Sequence, residues 1–296
     1  MCKKKFIKYN IFGISKEIKK DSYDNINKIL TFPINLKDLN SLEKIIQIVN
    51  PKKLIHLGAI SESEENMKDI FETIEVNGLV TCKICDILHK NNIECRLFNA
   101  ASSDMYKGHK DYVIQEDDTN FRPTYPYAYA KILGYSVVEY YRKKFGYLFS
   151  NGVLFTTESK DRKSCFLMKK LSLHINEWKN NKTILKLSSL ESYRNLNLAD
   201  DVVDAIELIL EQPKGDNYLI CSDEINKIVD IVKEFYKINH IELYEKDYRL
   251  IDKKTGLPVI EYSKPSQNDT KINGKCIKLK NFGWKSCSLN QLLEKL

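Results

Sequence analysis

Glycine is scarce where this chain begins. Only 11 occur in 296 residues, and Gly13 is the single one before Gly58. A dinucleotide-binding sheet usually opens with a strand, a glycine-rich turn and a helix whose N-terminal amides hold a pyrophosphate. That arrangement is excluded from the stretch before Gly58. Arginine is scarcer still, six of the 47 basic residues, so Arg162 and Arg194 stand out as forks able to grip a diphosphate. No run of about 18 apolar residues occurs, which excludes a membrane-spanning helix, and no signal-peptide pattern precedes the fold. The formal charge of +7 would attract anions, yet it comes from lysines spread evenly along the chain. No dense basic run with interleaved aromatics is present, so nucleic acid is not an expected partner. The eight cysteines lack regular spacing. Their one close pair, Cys82 and Cys85, has no second pair or nearby histidine to complete a metal set. The sequence therefore predicts buried structural thiols, no metal and a reducing, cytoplasmic location.

What is present is an alternation of strand and helix signals. Residues 6–14 form an apolar run of strand length, residues 30–36 offer another, and LKDLNSLEKIIQIVN reads as a helix ended by Pro51. KLIHLGA follows as a buried strand, NGLVTCKICDILHKN as a helix and RLFNAA as a strand. This is the pattern of a parallel α/β sheet with right-handed crossovers. Beyond Leu148 come a strand LFSNGVLF, a helix around FLMKKLSLHINEWKN, a strand TILKLSS, and a helix from about Ala199 whose first turn carries Asp200 and Asp201. DNYLIC, a helix around INKIVDIVKEFY and a basic C-terminal region complete the chain. The expected division is a dinucleotide-binding domain over residues 1–155 and a smaller substrate lobe over 156–296, with chain crossings between them.

The stretch from Asn99 to Gly146 organises the rest. It starts NAASSDMYKG and ends in a long helix pattern, YPYAYAKILGYSVVEYYRKKFG, with apolar Ala130, Val137, Val138, Tyr141 and Phe145 recurring at helical spacing. Tyr127 and Lys131 lie one turn apart on one face. An ammonium beside a phenol favours the phenolate, so the pairing predicts a Tyr127 pKa lowered from about 10 toward neutrality, as a base requires. Ser102, at the end of the preceding strand, could hydrogen-bond the same substrate oxygen. Spacing alone decides nothing, because Tyr106/Lys110 and Tyr140/Lys144 share it. Only the middle pair combines a helix start with an upstream strand that ends in hydroxyls and a carboxylate.

These segments resemble the extended short-chain dehydrogenase/reductases, and among them the GDP-mannose 4,6-dehydratases. ASSDMY and PYAYAK are similar to A-S-T-S-E-L-Y and S-P-Y-A-x-A-K, NPKKLIHLGA to N-P-x-x-x-x-N-L-G-A, SNGVLFTTES to V-N-G-I-L-F-N-H-E-S, and NFGWKS to L-G-W-x-P. YNIFGISK resembles the family's second strand. The resemblance thus implies that the first strand, the glycine turn and the first helix are missing. Losing a central strand would also expose two inner sheet edges.

The resemblance implies an α/β, Rossmann-like parallel sheet, N-terminally truncated, with a smaller C-terminal α/β lobe. It implies an NADP-dependent lyase that dehydrates a nucleotide sugar through a hidden redox cycle, in which the C5 proton is removed and water leaves C6. By resemblance Tyr127 is the first base, Lys131 its electrostatic partner and ribose anchor, Ser102 the hydroxyl on O4, and Asp104 the C5 base and C6 acid. Asn35, Leu36, Leu57 and Ala59 join Tyr127 and Lys131 around the cofactor, which is expected to bind weakly. Glu158, Arg162 and Arg194 fall to the nucleotide-sugar substrate, and a homo-oligomer is compatible. Ser102 replaces a threonine and keeps its hydroxyl, whereas Asp104 replaces a glutamate and is one methylene shorter. Two other readings stay open: a weakly active or inactive remnant that binds a sugar nucleotide or an intact homologue, and another nucleotide-sugar reductase or epimerase.

Overall fold

The computed structural model describes residues 10–24, 29–61, 69–266 and 269–296. The first strands are β1 (Ile11–Ile14), β2 (Ser22–Asp24) and β3 (Ile29–Phe32), in the order β1-β3-β2, with β1 parallel and β2 antiparallel to β3. Residues 6–9 of the expected first run lie outside the described residues. Asp38 caps α1 (Leu39–Val49) by accepting from the Ser41 amide, and Leu42, Ile45 and Ile46 form its buried face. Asn50, in the left-handed region at φ 43°, stops the helix before Pro51. After β4 (Lys53–His56) comes one helical run made of α2 (Ile70–Ile74), a π turn (Glu75–Leu79) and α3 (Val80–Lys90). It begins seven residues before the expected start at Asn77. Cys85 is buried within it and Cys82 only half-buried, a partial correction to the expected pair of buried thiols.

β5 (Arg96–Ser102) leads through a 3-10 turn (Ser103–Tyr106) and β6 (Asp111–Ile114) to α4 (Pro126–Phe145) and β7 (Phe149–Leu154). α4 buries Ala128, Ala130, Lys131, Gly134, Tyr135 and Val138, while Phe145, expected on that face, is exposed at the helix end. Next come β8 (Thr156–Glu158), α5 (Leu167–Asn181), β9 (Leu185–Leu187), β10 (Tyr193–Arg194), β11 (Leu196–Leu198) and α6 (Ala199–Glu211). β12 (Asn217–Ile220), β13 (Asn226–Lys227) and α7 (Ile228–Ile238) follow. The basic C-terminal region holds β14 (Leu243–Lys246), β15 (Arg249–Asp252), β16 (Pro258–Tyr262), β17 (Lys271–Gly274), α8 (Ile277–Asn281) and α9 (Leu289–Glu294).

The main sheet is parallel throughout, in the order β12-β7-β5-β4. A second four-stranded sheet runs β14-β15-β16-β9, β8 pairs with β11, and β17 returns from the C-terminal region to pair with β6. Three apolar cores result. One joins α1, α3 and the start of β5; the second packs α4, α6 and α8 about the main sheet; the third sits between α5, α7 and the second sheet.

The main sheet stops at β4. Among the described residues, β4 pairs only with β5 and β1 only with β3, so β1-β3-β2 stands as a separate sheet. Leu54 and Ile55 of β4 are half-buried, whereas Leu97 and Phe98, opposite them on β5, are fully buried. Phe12 of β1 is 46% exposed. Among the described residues β1 and β4 are both edge strands, and the resemblance implies a strand between them.

Candidate active site

β5 is buried along almost its whole length and delivers Ser102 at its carboxyl end, where parallel α/β sheets bind ligands. The Ser102 hydroxyl then accepts the Asp104 amide at 3.2 Å, which closes the 3-10 turn and fixes the carboxylate two residues on. α4 starts beside that turn, with Tyr125 at its cap and Pro126 as its first residue, where the missing N–H costs nothing. Its close seating depends on glycine. A Cβ on Gly78 would stand 3.1 Å from the Ala130 carbonyl, so the π turn and α4 meet backbone to backbone.

That packing brings Tyr127, Lys131, Ser102 and Asp104 together. The Tyr127 hydroxyl faces the Ser102 side chain and feels the Asp104 charge. Lys131 is buried, donates to the Ala100 carbonyl at 2.7 Å, and lies with its ammonium 5.7 Å from the centre of the Tyr127 ring. Burial brings the Lys131 pKa down to about 8. Tyr127 corrects the sequence reading: its pKa is raised, first by burial and then by the Asp104 carboxylate, against weaker opposition from the Ser102 hydroxyl and the Arg162 charge. A lysine buried along with its tyrosine gives the phenolate too little solvation to offset what the ring loses.

Two residues that sequence reasoning missed belong to this group. Tyr125 donates from its hydroxyl to Asp104 Oδ2, and its ring stacks on Tyr127 at 5.8 Å between centroids. Asn77, in the π turn, bonds the Ile60 amide at 2.8 Å and the Ile60 carbonyl at 3.0 Å, tying the loop after β4 to the helix behind Tyr127. The sequence placed Asn77 only at the expected start of the helix, with nothing local to show that its amide ties down the loop after β4.

The expected substrate residues border this cluster. Glu158 ends β8 and is buried, and Arg162 Nε lies 3.5 Å from its Oε2. The pair is ionic but loose, because neither atom has a hydrogen-bond partner among the described residues. The Arg162 guanidinium also lies 4.0 Å over the Phe166 ring. Burial raises the Glu158 pKa to about 7, with Arg162 opposing. Arg194 donates to the Tyr193 carbonyl at 2.8 Å. Burial lowers its pKa, while the charges of Asp104 and Asp269 oppose that shift. Asp269 is itself anchored by Ser189 at 2.8 Å, Ser192 at 2.9 Å and the Ser266 amide at 2.7 Å.

The expected cofactor residues lie on the far side of Lys131. Asn35 is exposed beyond β3, its side chain accepting the Lys37 amide at 3.1 Å. Leu36 packs over Gly58, where an added Cβ would meet Leu36 Cδ1 at 2.5 Å, and Leu57 and Ala59 are exposed on either side. His56, also missed in the sequence, ends β4 buried, and its Nε2 has no hydrogen-bond partner among the described residues. Burial, aided by the Lys131 charge, pushes its pKa down to about 3, so the ring is neutral.

A family profile described as GDP-mannose 4,6 dehydratase matches residues 5–296. This chain belongs to that family. GDP-mannose 4,6-dehydratase of Sordaria araneosa is 24% identical over 88% of this chain and 50% of its own length. The Drosophila melanogaster GDP-mannose 4,6 dehydratase is 29% identical over 70% of this chain and 53% of its own. The chain thus spans about half the length of these dehydratases. In fold it is similar to a structure of RMD from Pseudomonas aeruginosa complexed with NADPH, with a TM-score of 0.75 at 19% identity over 90% of this chain and 88% of that one. Within the GDP-mannose dehydratase family, Tyr127 and Lys131 keep the family pattern, whereas Asp104, Tyr125 and His56 stand where its motifs have Glu, Ser and Asn.

Proposed function

We propose that this chain is a nucleotide-sugar 4,6-dehydratase acting on GDP-mannose, with NADP as its redox group. The observation that carries the reading is the meeting of Ser102, Tyr127 and Lys131 at the end of β5 with a carboxylate, Asp104, at the same turn. Tyr127 exchanges the C4 hydroxyl proton while Ser102 holds that oxygen. Asp104 takes the C5 proton and returns it to the departing C6 hydroxyl. Arg194 and Arg162 suit the diphosphate by charge and fork geometry, and Glu158 pairs with Arg162. Carbon acid chemistry at C5 favours a dehydratase over a C4 epimerase, which needs no base there.

The residues fit one half of the dinucleotide. Lys131 and Tyr127 would hold the nicotinamide ribose, His56 Nε2 is a buried polar atom available to it, and Asn35 and Leu36 border the adenosine end. When bound, the nicotinamide supplies reversible hydride transfer. For the pyrophosphate, the described residues offer no glycine-rich turn leading from a parallel strand directly into a helix, and the main sheet is interrupted between β1 and β4. That interruption favours a second reading, a sugar-nucleotide-binding protein with little turnover. Incubating the chain with GDP-mannose and NADP, and assaying the 4-keto-6-deoxy sugar against a Tyr127→Phe control, separates the two. Product that disappears in the control supports dehydration; none in either protein supports the binding role.

A further inference from the structure

Two departures from the family pattern touch each other. Asp104 is one methylene shorter than the family glutamate, which draws its oxygens back by about 1.3 Å. Tyr125 stands where the S-P-Y motif has a serine, and it is much longer. Its hydroxyl donates to Asp104 Oδ2. The tyrosine is otherwise held firmly: it is 5% exposed, its ring stacks on Tyr127 at 5.8 Å with an interplanar angle of 18°, and the Lys107 ammonium sits 5.1 Å from its centroid.

We infer that Tyr125 is the positioning residue for the Asp104 carboxylate, and that the two substitutions form one compensated pair. A phenol fixed by stacking occupies one carboxylate oxygen and leaves the other for the substrate, and the Asp104 charge is felt by both Tyr127 and Arg194. Without it a short carboxylate would rotate, and a misplacement near 1 Å costs on the order of 100-fold in rate. Tyr125 touches no reacting atom in this scheme, and no proton passes through it. The catalytic part of the inference rests on the dehydratase reading; the hydrogen bond itself does not.

The experiment uses Tyr125→Phe, which keeps the ring and removes only the hydroxyl, with two readouts. The first is the carbon-13 resonance of the Asp104 carboxyl at one fixed pH, assigned with Asp104→Asn, which should move when the hydrogen-bond donor is lost. The second is GDP-mannose dehydration, in which kcat should fall on the order of 100-fold with little change in KM. Rescue identifies the pair. Asp104→Glu alone should be impaired beside Tyr125, while Asp104→Glu combined with Tyr125→Ser should recover most of the loss, a non-additive result. An unmoved resonance overturns the inference whatever the rates show. A moved resonance with unchanged kcat overturns the positioning role. If the wild-type chain makes no ketone, the dehydratase reading fails, and the resonance alone decides whether Tyr125 governs Asp104.

Discussion

The Lys131 ammonium donates to the Ala100 carbonyl at 2.7 Å while standing 5.7 Å from the centre of the Tyr127 ring. The lysine is thus anchored to the strand that carries Ser102, and its charge is held in a buried place. The proposed catalytic face is built around a cation that costs stability.

That cost has a defined pH signature. Lys131 has a pKa of about 8 in the folded protein against an ordinary 10.5. Between these values the unfolded chain carries the extra proton, so raising the pH favours the folded state. Compared with Lys131→Met, the wild type should gain up to roughly 3 kcal/mol of unfolding free energy between pH 8 and 10.5. Urea titrations of both proteins across that range check this, and parallel pH curves would sink it.

Glu158 works in the opposite sense. Its folded pKa of about 7 exceeds the ordinary 4.5, so between those values the folded state holds the extra proton and loses stability as pH rises. Glu158→Gln should match the wild type near pH 4 and be more stable near pH 8, by up to about 3 kcal/mol, a figure that already includes the opposing Arg162 charge. Thermal melts at the two pH values test the difference. Equal stabilities at pH 8 would mean that the carboxylate is better solvated than its burial implies.

NADP affinity should be low. Lys131 and Tyr127 are proposed to hold the ribose, but among the described residues no glycine-rich turn presents helix-N-terminal amides to the pyrophosphate. Calorimetric titration of the whole chain with NADP is expected to give a dissociation constant weaker than micromolar. Stoichiometric binding at micromolar or below would show that another group supplies the cradle.

The parallel strands β4, β5, β7 and β12 and the helices α4, α6 and α7 could be read from apolar runs and periodicity, because each carries its signal locally. Ser102 and the Tyr127/Lys131 pair were likewise visible, through a strand end and a helix start. What stayed hidden depends on chain returns. β17 reaches back to β6, and β14–β16 form a sheet with β9, inside a segment whose composition said only that it was basic. Tyr125 was read as part of a helix start, since nothing local shows that its hydroxyl meets a residue 21 positions earlier. The sign of the Tyr127 shift was misjudged for a related reason: sequence gives the neighbouring charge but not the shared burial.

The interruption between β1 and β4 also bears on how the molecule breathes. A continuous ladder would make every strand exchange its amides with solvent at rates set by one cooperative opening. Here the β1-β3-β2 sheet is joined to the rest by side-chain packing of Phe32, Ile34, Leu36 and α1 against the core of α3 and β5, with no backbone ladder between β1 and β4 among the described residues. Those first strands can therefore open on their own, leaving Ser102 and the whole of β5 protected.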